Sequence, residues 1–184
     1  MIKKRELRWI MKNRIAELSS SEKSGMGVRA TFRLMLDPIF KRAHSVLLFL
    51  SREDEPETRT LIHAAQVDGK KVYLPRIKGD KLVCVPYREG DPTKVNEYGI
   101  EEPTAKEVSL SEALSIDLAI IPLVAFDKDK HRLGRGKGYY DRYLEFYPGV
   151  SVGYAFSLQE CECVPTEKHD VKLNYIFTEK GRTL

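Results

Sequence analysis

Apolar positions at the start of the chain recur with a helical step. Leu7, Ile10, Met11, Ile15 and Leu18 stand three or four residues apart among Lys, Arg and Glu, which predicts a first helix. Ser19-Ser20-Ser21-Glu22 interrupts it and supplies N-cap candidates for a second helix. That helix runs through Val28, Phe32, Leu34 and Met35 until Asp37-Pro38 bends or restarts it. The period then changes. Ser45–Leu50 is a short, continuous apolar run, the form of a strand buried on both faces of a parallel sheet. Glu57–Val67 returns to helical spacing through Leu61, Ile62, Ala64 and Ala65 and stops at Asp68-Gly69. Lys71–Leu74 reads as a second strand closed by Pro75, Lys78–Lys81 as a turn, and Leu82–Val85 as an edge strand ending at Pro86. Asp117–Ile121, Val150–Phe156 and Tyr175–Thr178 complete the strands, with a helix over Tyr139–Tyr147. Strands alternating with helices predict one α/β domain spanning residues 1–184, a three-layer α/β/α arrangement around an open, mostly parallel sheet.

Composition narrows the class. A chain of 184 residues with 42% apolar content can bury a core without disulfides or a structural metal, and its net charge of +4 excludes a disordered chain. The first ten residues are charged throughout, and the longest apolar run, Val46–Leu50, is far too short for a signal peptide or a bilayer span. Cys84, Cys161 and Cys163 cannot all pair, which suits a reducing compartment. A soluble, cytoplasmic monomer with no membrane or nucleic-acid partner is therefore expected. Cys161-Glu-Cys163 with His169 and Cys84 lacks the usual zinc spacing, and Trp9 is expected to pack in the core.

The densest chemistry follows the strand at Asp117–Ile121, where open α/β sheets bind ligands. There Gly134, Gly136 and Gly138 alternate with Arg135 and Lys137, preceded by Arg132 and Leu133 and followed by Tyr139 and Tyr140 at a helix start. Alternate glycines free the backbone to turn N–H groups toward a ligand, and the interleaved cations favour phosphate. The segment is neither a Walker A loop nor a dinucleotide fingerprint, since Tyr139 stands where the latter needs glycine. Asp141, in the first turn of the helix, suits either capping or Mg2+, and Asp170, after His169, could bring a second carboxylate to the same edge. Residues 87–110 lack a period and are rich in Pro, Gly, Glu and Lys; such a stretch is more often functional than idle, and 87–105 is expected to close over substrate.

The segment Arg132–Leu144, RLGRGKGYYDRYL, resembles the signature of the 5-formyltetrahydrofolate cyclo-ligase family. Lys4-Arg-Glu-Leu-Arg8, Glu57-Thr58, Tyr98-Gly-Ile-Glu-Glu-Pro103 and the stretch Pro165–Glu179 resemble its other elements in the same order. The resemblance implies an ATP- and Mg2+-dependent ligase that converts 5-formyltetrahydrofolate to 5,10-methenyltetrahydrofolate. It further implies that Lys4, Arg8, Arg132, Arg135 and Lys137, with the N–H groups of Gly134, Gly136 and Gly138, hold the triphosphate. Arg135 and Lys137 would serve transfer itself, Leu133, Tyr139 and Tyr140 would line the loop, and Asp141 and Asp170 would hold Mg2+. Glu57 would bind the pterin of the reduced folate. Arg52 stands where many relatives carry a small or apolar residue; it could stack on the ring or reach the glutamate tail. One of the two tyrosines could simply pack.

Two other classes compete for the same residues. An RNA-binding module would use the Gly/Arg/Lys/Tyr block as its contact surface, but Asp127, Asp129 and Asp141 share that segment. A sugar-phosphate isomerase or deaminase would keep the fold without a nucleotide, yet one monophosphate needs fewer cations than this loop gathers.

Overall fold

The computed structural model describes residues 2–183. In chain order it comprises α1 (Lys4–Ala16), α2 (Ser20–Leu36), α3 (Pro38–Arg42), β1 (Ser45–Leu47), α4 (Arg59–Val67), β2 (Lys71–Lys78), β3 (Lys81–Pro86), β4 (Thr93–Val95) and β5 (Glu101–Pro103). There follow α5 (Leu110–Leu114), β6 (Leu118–Pro122), β7 (Ala125–Phe126), β8 (Arg132–Leu133), α6 (Tyr139–Leu144), β9 (Val150–Tyr154), β10 (Tyr175–Thr178) and β11 (Gly181–Arg182). Ser19 caps α2 reciprocally: its hydroxyl accepts from the Glu22 N–H, and the Glu22 carboxylate accepts from the Ser19 N–H.

The main sheet has seven strands in the order β11-β10-β9-β6-β1-β2-β3. Its interior pairings are parallel, and the outermost strand at each edge, β3 and β11, runs antiparallel to its neighbour. Strand residues alternate between two cores, as a period of two requires. Val46, Val72, Leu118, Ile120 and Val152 face one way onto α2, α3 and α4. Leu47, Tyr73, Ala119, Ile121 and Ile176 face the other way onto α5 and α6. The result is the expected three-layer α/β/α arrangement. α1 packs apart from both, placing Leu7 and Met11 against Ala125, Leu133 and Val164.

Several elements differ from the sequence expectation. β2 does not stop at Pro75 but continues to Lys78. Pro75 pairs with Cys84 of β3, and its other side lies beyond the last β1 partner, Tyr73, so the missing N–H interrupts no ladder. Residues 87–110 contain a β4–β5 hairpin whose three-residue strands are too short to show a period. On α2 the inward face is Gly27, Ala30, Thr31 and Leu34, whereas Val28 and Phe32 face solvent. The helix passes so close to the loop after β1 that a Cβ on Gly27 would lie 3.4 Å from the Glu57 nitrogen, which favours small residues on that face. Trp9 is 65% exposed, because α1 buries the face bearing Leu7, Met11 and Ile15.

Gly153 marks the tightest point of the sheet relevant to the site. A Cβ there would meet Leu123 Cδ2 at 2.6 Å and Ile176 and Leu173 Cδ1 at 2.8 Å. Gly153→Ala should destabilise the protein by about 1–3 kcal/mol through overpacking. Urea unfolding checks this, and an unchanged midpoint would mean the core yields more easily than the geometry implies.

Candidate active site

The strand order reverses at the adjacent pair β1 and β6, from which the chain departs in opposite directions. Connections that diverge leave a crevice beyond the strand ends. Here the crevice is a cavity of about 540 Å³, floored by Phe49 and Leu50 after β1 and by Pro122 and Leu123 at the end of β6. Pro75 and Ile77 of β2 extend the apolar surface, and Tyr98 and Ile100 of the β4–β5 hairpin lie across from it. The remaining wall is polar: Lys4 and Arg8 from α1, residues 132–141, and Glu167, His169 and Asp170.

The loop of alternating glycines is shaped for an anion. Gly136 and Gly138 have φ of 102° and 68°, conformations that side chains disfavour. Arg8 Nε donates to the Gly134 carbonyl at 2.8 Å, and its guanidinium would lie 3.1 Å from a Cβ at Gly136. On the outer side, Arg142 donates to the Asp80 and Lys137 carbonyls and lies 5.0 Å from the Tyr139 ring centroid. Among the described residues, no backbone N–H from Gly134 to Gly138 donates to a protein acceptor. Successive unspent N–H groups beside cations make an anion-binding concavity. Lys137 Nζ lies 5.1 Å from the Tyr98 ring centroid and has no carboxylate partner among the described residues.

The other cations are braced by carboxylates. Arg132, 7% exposed, pairs with Asp141 at 2.9 Å and donates to the Val171 carbonyl. Arg135 pairs with Asp54 at 2.7 Å and Glu55 at 2.8 Å, joining the glycine loop to the loop after β1. Burial would ease the Arg135 proton off, but the hydrogen bonds and charges of Asp54 and Glu55 outweigh it and hold the guanidinium protonated. Burial would likewise raise Asp54, and the bond from Arg135 reverses this, lowering its carboxyl below 3.8. Lys4 pairs with Asp170 at 2.6 Å and Glu167 at 2.9 Å.

The residues expected to hold Mg2+ offer hard oxygen donors, the type that ion takes. Asp141 and Asp170 both line the cavity. Asp141 Oδ1 is engaged by Arg132 and the Val171 N–H, and Asp170 Oδ2 by Lys4 and the Glu167 N–H. The second oxygen of each carboxylate makes no hydrogen bond among the described residues, so each has a hard donor to offer such an ion.

The profile of the 5-formyltetrahydrofolate cyclo-ligase family matches residues 1–179. The chain belongs to that family. It is 34% identical to the 5-formyltetrahydrofolate cyclo-ligase of Escherichia coli K12 over 92% of this chain and 96% of the relative. The mouse 5-formyltetrahydrofolate cyclo-ligase is 31% identical, over 96% and 93% of the two chains. The fold is similar to that of an Aquifex aeolicus 5,10-methenyltetrahydrofolate synthetase solved by NMR, with a TM-score of 0.85 at 30% identity over 98% of this chain and 92% of that one.

Within this cyclo-ligase fold, one expected site residue lies off the cavity wall. Glu57 is exposed and accepts from the Arg59 and Thr60 N–H groups at the start of α4, the capping role an acidic residue takes there. The carboxylate that reaches the cavity from this loop is Glu55, two residues earlier. Its side chain folds back through a tight turn in which the Arg52 N–H donates to Glu55 Oε2 at 2.9 Å. Nothing in the local pattern distinguishes the two glutamates; only the turn does. The remaining expected residues, Arg52 among them, line the cavity. Arg132 is there as a brace, its Nη1 committed to Asp141 and Val171. Tyr98 and Glu167 are wall residues that periodicity could not place. Cys84 is buried in the core beneath α6 and belongs to no metal-binding group among the described residues.

The Lys4–Asp170 pair yields a pH prediction. Burial opposes both charges, but the mutual bonds prevail, raising Lys4 above 10.5 and lowering Asp170 below 3.8. Asp170 therefore contributes stability in full above 3.8 and loses it as pH falls through its lowered value; Lys4 contributes in full below 10.5 and loses it as pH rises through its raised value. Lys4→Met should cost stability evenly between those limits, with the cost shrinking beyond each. Urea unfolding at stepped pH measures this, and a cost independent of pH would place its origin elsewhere.

Proposed function

We propose that this chain binds 5-formyltetrahydrofolate and ATP in the one cavity and converts them to 5,10-methenyltetrahydrofolate, ADP and phosphate, in the reducing cytoplasm that its free cysteines suit. The observation that carries this reading is a glycine loop with unspent N–H groups opening onto the same cavity as an apolar floor. One surface suits a polyphosphate and the other a fused ring system, and the reaction needs both in contact. An RNA module would present its cations on an open face. Here Lys4, Arg8, Arg135 and Lys137 line a concave wall instead.

The chemistry follows from a poor leaving group and a weak nucleophile. The formyl oxygen attacks the γ-phosphorus and ADP departs. N10 then attacks the activated carbon, loses its proton, and the C–O bond breaks with release of phosphate while N5 shares the positive charge. Phosphoryl transfer of this kind asks the protein for positioning and charge neutralisation more than covalent help. The loop N–H groups and Arg8 hold the phosphates, and Lys137 stabilises charge on the transferring group. Arg135, held between Asp54 and Glu55, fixes the loop against the folate side. Glu55 meets the pterin, whose ring N–H groups a carboxylate accepts. Tyr139 and Tyr140 line the junction. Asp141 and Asp170 would hold Mg2+, which when bound neutralises phosphate charge. Both substrates being small, the β4–β5 hairpin closes over them through Tyr98 and Ile100.

Absorbance at the methenyltetrahydrofolate band, followed with 5-formyltetrahydrofolate and Mg-ATP, tests the reaction. The signal should rise only with ATP, and Lys137→Ala should lower kcat about 10²-fold or more, the scale of removing one charge-stabilising group. A rise without ATP, or none in folded protein that binds both substrates, would sink the assignment. Hydrogen exchange over residues 96–102 should slow when 5-formyltetrahydrofolate and a non-hydrolysable ATP analogue bind together; unchanged exchange would remove the hairpin from the closing role.

A further inference from the structure

The cations of the cavity wall are held in different ways. Lys4, Arg132 and Arg135 are paired with carboxylates, and Arg8 is bonded to the Gly134 carbonyl. The side chains of Lys137 and Arg52 line the same wall and make no hydrogen bond or ion pair among the described residues. Of these six cations, Lys137 is the one that lies against an aromatic face among the described residues: its Nζ is 5.1 Å from the Tyr98 ring centroid. The phenol stays protonated, pushed up to about 12 by the Glu97 carboxylate and by Tyr139, so the lysine meets a neutral ring.

Tyr98 sits on a turn whose backbone is fixed. Asn96 Oδ1 accepts from the Tyr98 N–H at 2.9 Å and the Ile100 N–H at 3.0 Å, and the Asn96 N–H donates to the Ile100 carbonyl at 2.8 Å. The base of the hairpin is tied to β2 and α4. There the buried Glu102 carboxylate accepts from the Ile77 N–H at 2.8 Å, and Glu101 pairs with Arg59 at 2.6 Å. The hairpin thus carries the ring to the glycine loop on an anchored support, and its partner there is a cation that no carboxylate neutralises. A carboxylate in the same place would cancel the ammonium charge and repel an incoming phosphate. A π face attracts the cation without cancelling its charge, and it restrains a side chain whose four-carbon stem is otherwise flexible. Building on the role proposed above for Lys137, we infer that Tyr98 is a positioning residue whose ring holds the Lys137 ammonium at the glycine loop, ready for the transferring phosphoryl group. Contact with the face leaves the N–H groups on the far side of the ammonium unspent.

The test is a double-mutant cycle on Tyr98→Leu and Lys137→Ala, with kcat and both KM values followed by absorbance of the methenyl product. Tyr98→Leu alone should lower kcat about two- to fivefold, the range that an exposed cation–π contact sets, with each KM moved by less than about twofold. Tyr98→Phe, which keeps the face and lacks the hydroxyl, should recover most of that loss. In the Lys137→Ala protein, Tyr98→Leu should lower kcat no further. A loss that persists there, or one carried by KM for the folate, would overturn the proposal and leave Tyr98 a part of the covering hairpin only. A second readout needs no turnover. In protein carrying 13C-lysine, the Lys137 ε-methylene protons are assigned by their absence from Lys137→Ala. The ring should shift them upfield in wild type and Tyr98→Phe but not in Tyr98→Leu. That pattern would uphold the contact even if the cyclo-ligase reaction failed, and an unshifted resonance in folded wild type would overturn it.

Discussion

Like-charge repulsion is the constraint around which this cavity is built. Lys4, Arg8, Arg132, Arg135 and Lys137 converge on one concave wall, where their charges oppose one another. The protein answers by giving three of them an internal carboxylate partner, two of these from a distant part of the chain. Asp141 serves Arg132 within the same segment, but Asp54 and Glu55 come from the loop after β1, and Glu167 and Asp170 approach α1 from the connection before β10. Each pair neutralises a charge, and those of Lys4 and Arg135 also tie distant segments together. Removing one member of a largely buried pair strands the other, at a cost of about 3–5 kcal/mol. The wall is therefore a set of coupled braces, with the loop N–H groups left to receive a ligand.

The apolar half of the cavity has a different origin. Its floor is simply what lies past the ends of β1 and β6, where buried strands run out of partners. Phe49 and Leu50 continue the apolar run of β1 without being part of its ladder, and Pro122 and Leu123 do the same for β6. A sheet that is hydrophobic on both faces thus yields an apolar floor wherever its strand order reverses. Joining that floor to the braced wall sets an apolar surface beside a cationic one, which suits the ring system and phosphate chain proposed to meet there.

The sequence exposed the order of helices and strands, the three-layer class and the glycine loop, because each depends on local period or backbone freedom. Short strands at Thr93–Val95 and Gly181–Arg182 carry too few residues to register. The solvent-facing placement of Trp9, Val28 and Phe32 was hidden for another reason: a helix bearing apolar residues on two faces does not announce which one a neighbour will cover.

By itself, then, the sequence determined that Gly134–Gly138 would be a basic loop of alternating glycines, and its resemblance to the cyclo-ligases along the whole chain pointed to the phosphates that loop is proposed to meet. Only the tertiary structure decided which charges remained free. Arg132 became a brace, Glu55 and not Glu57 reached the cavity, and Arg52 was left without a partner. Pairing depends on distances between residues as far apart as Lys4 and Asp170, and these exist only once the sheet has set the loops side by side.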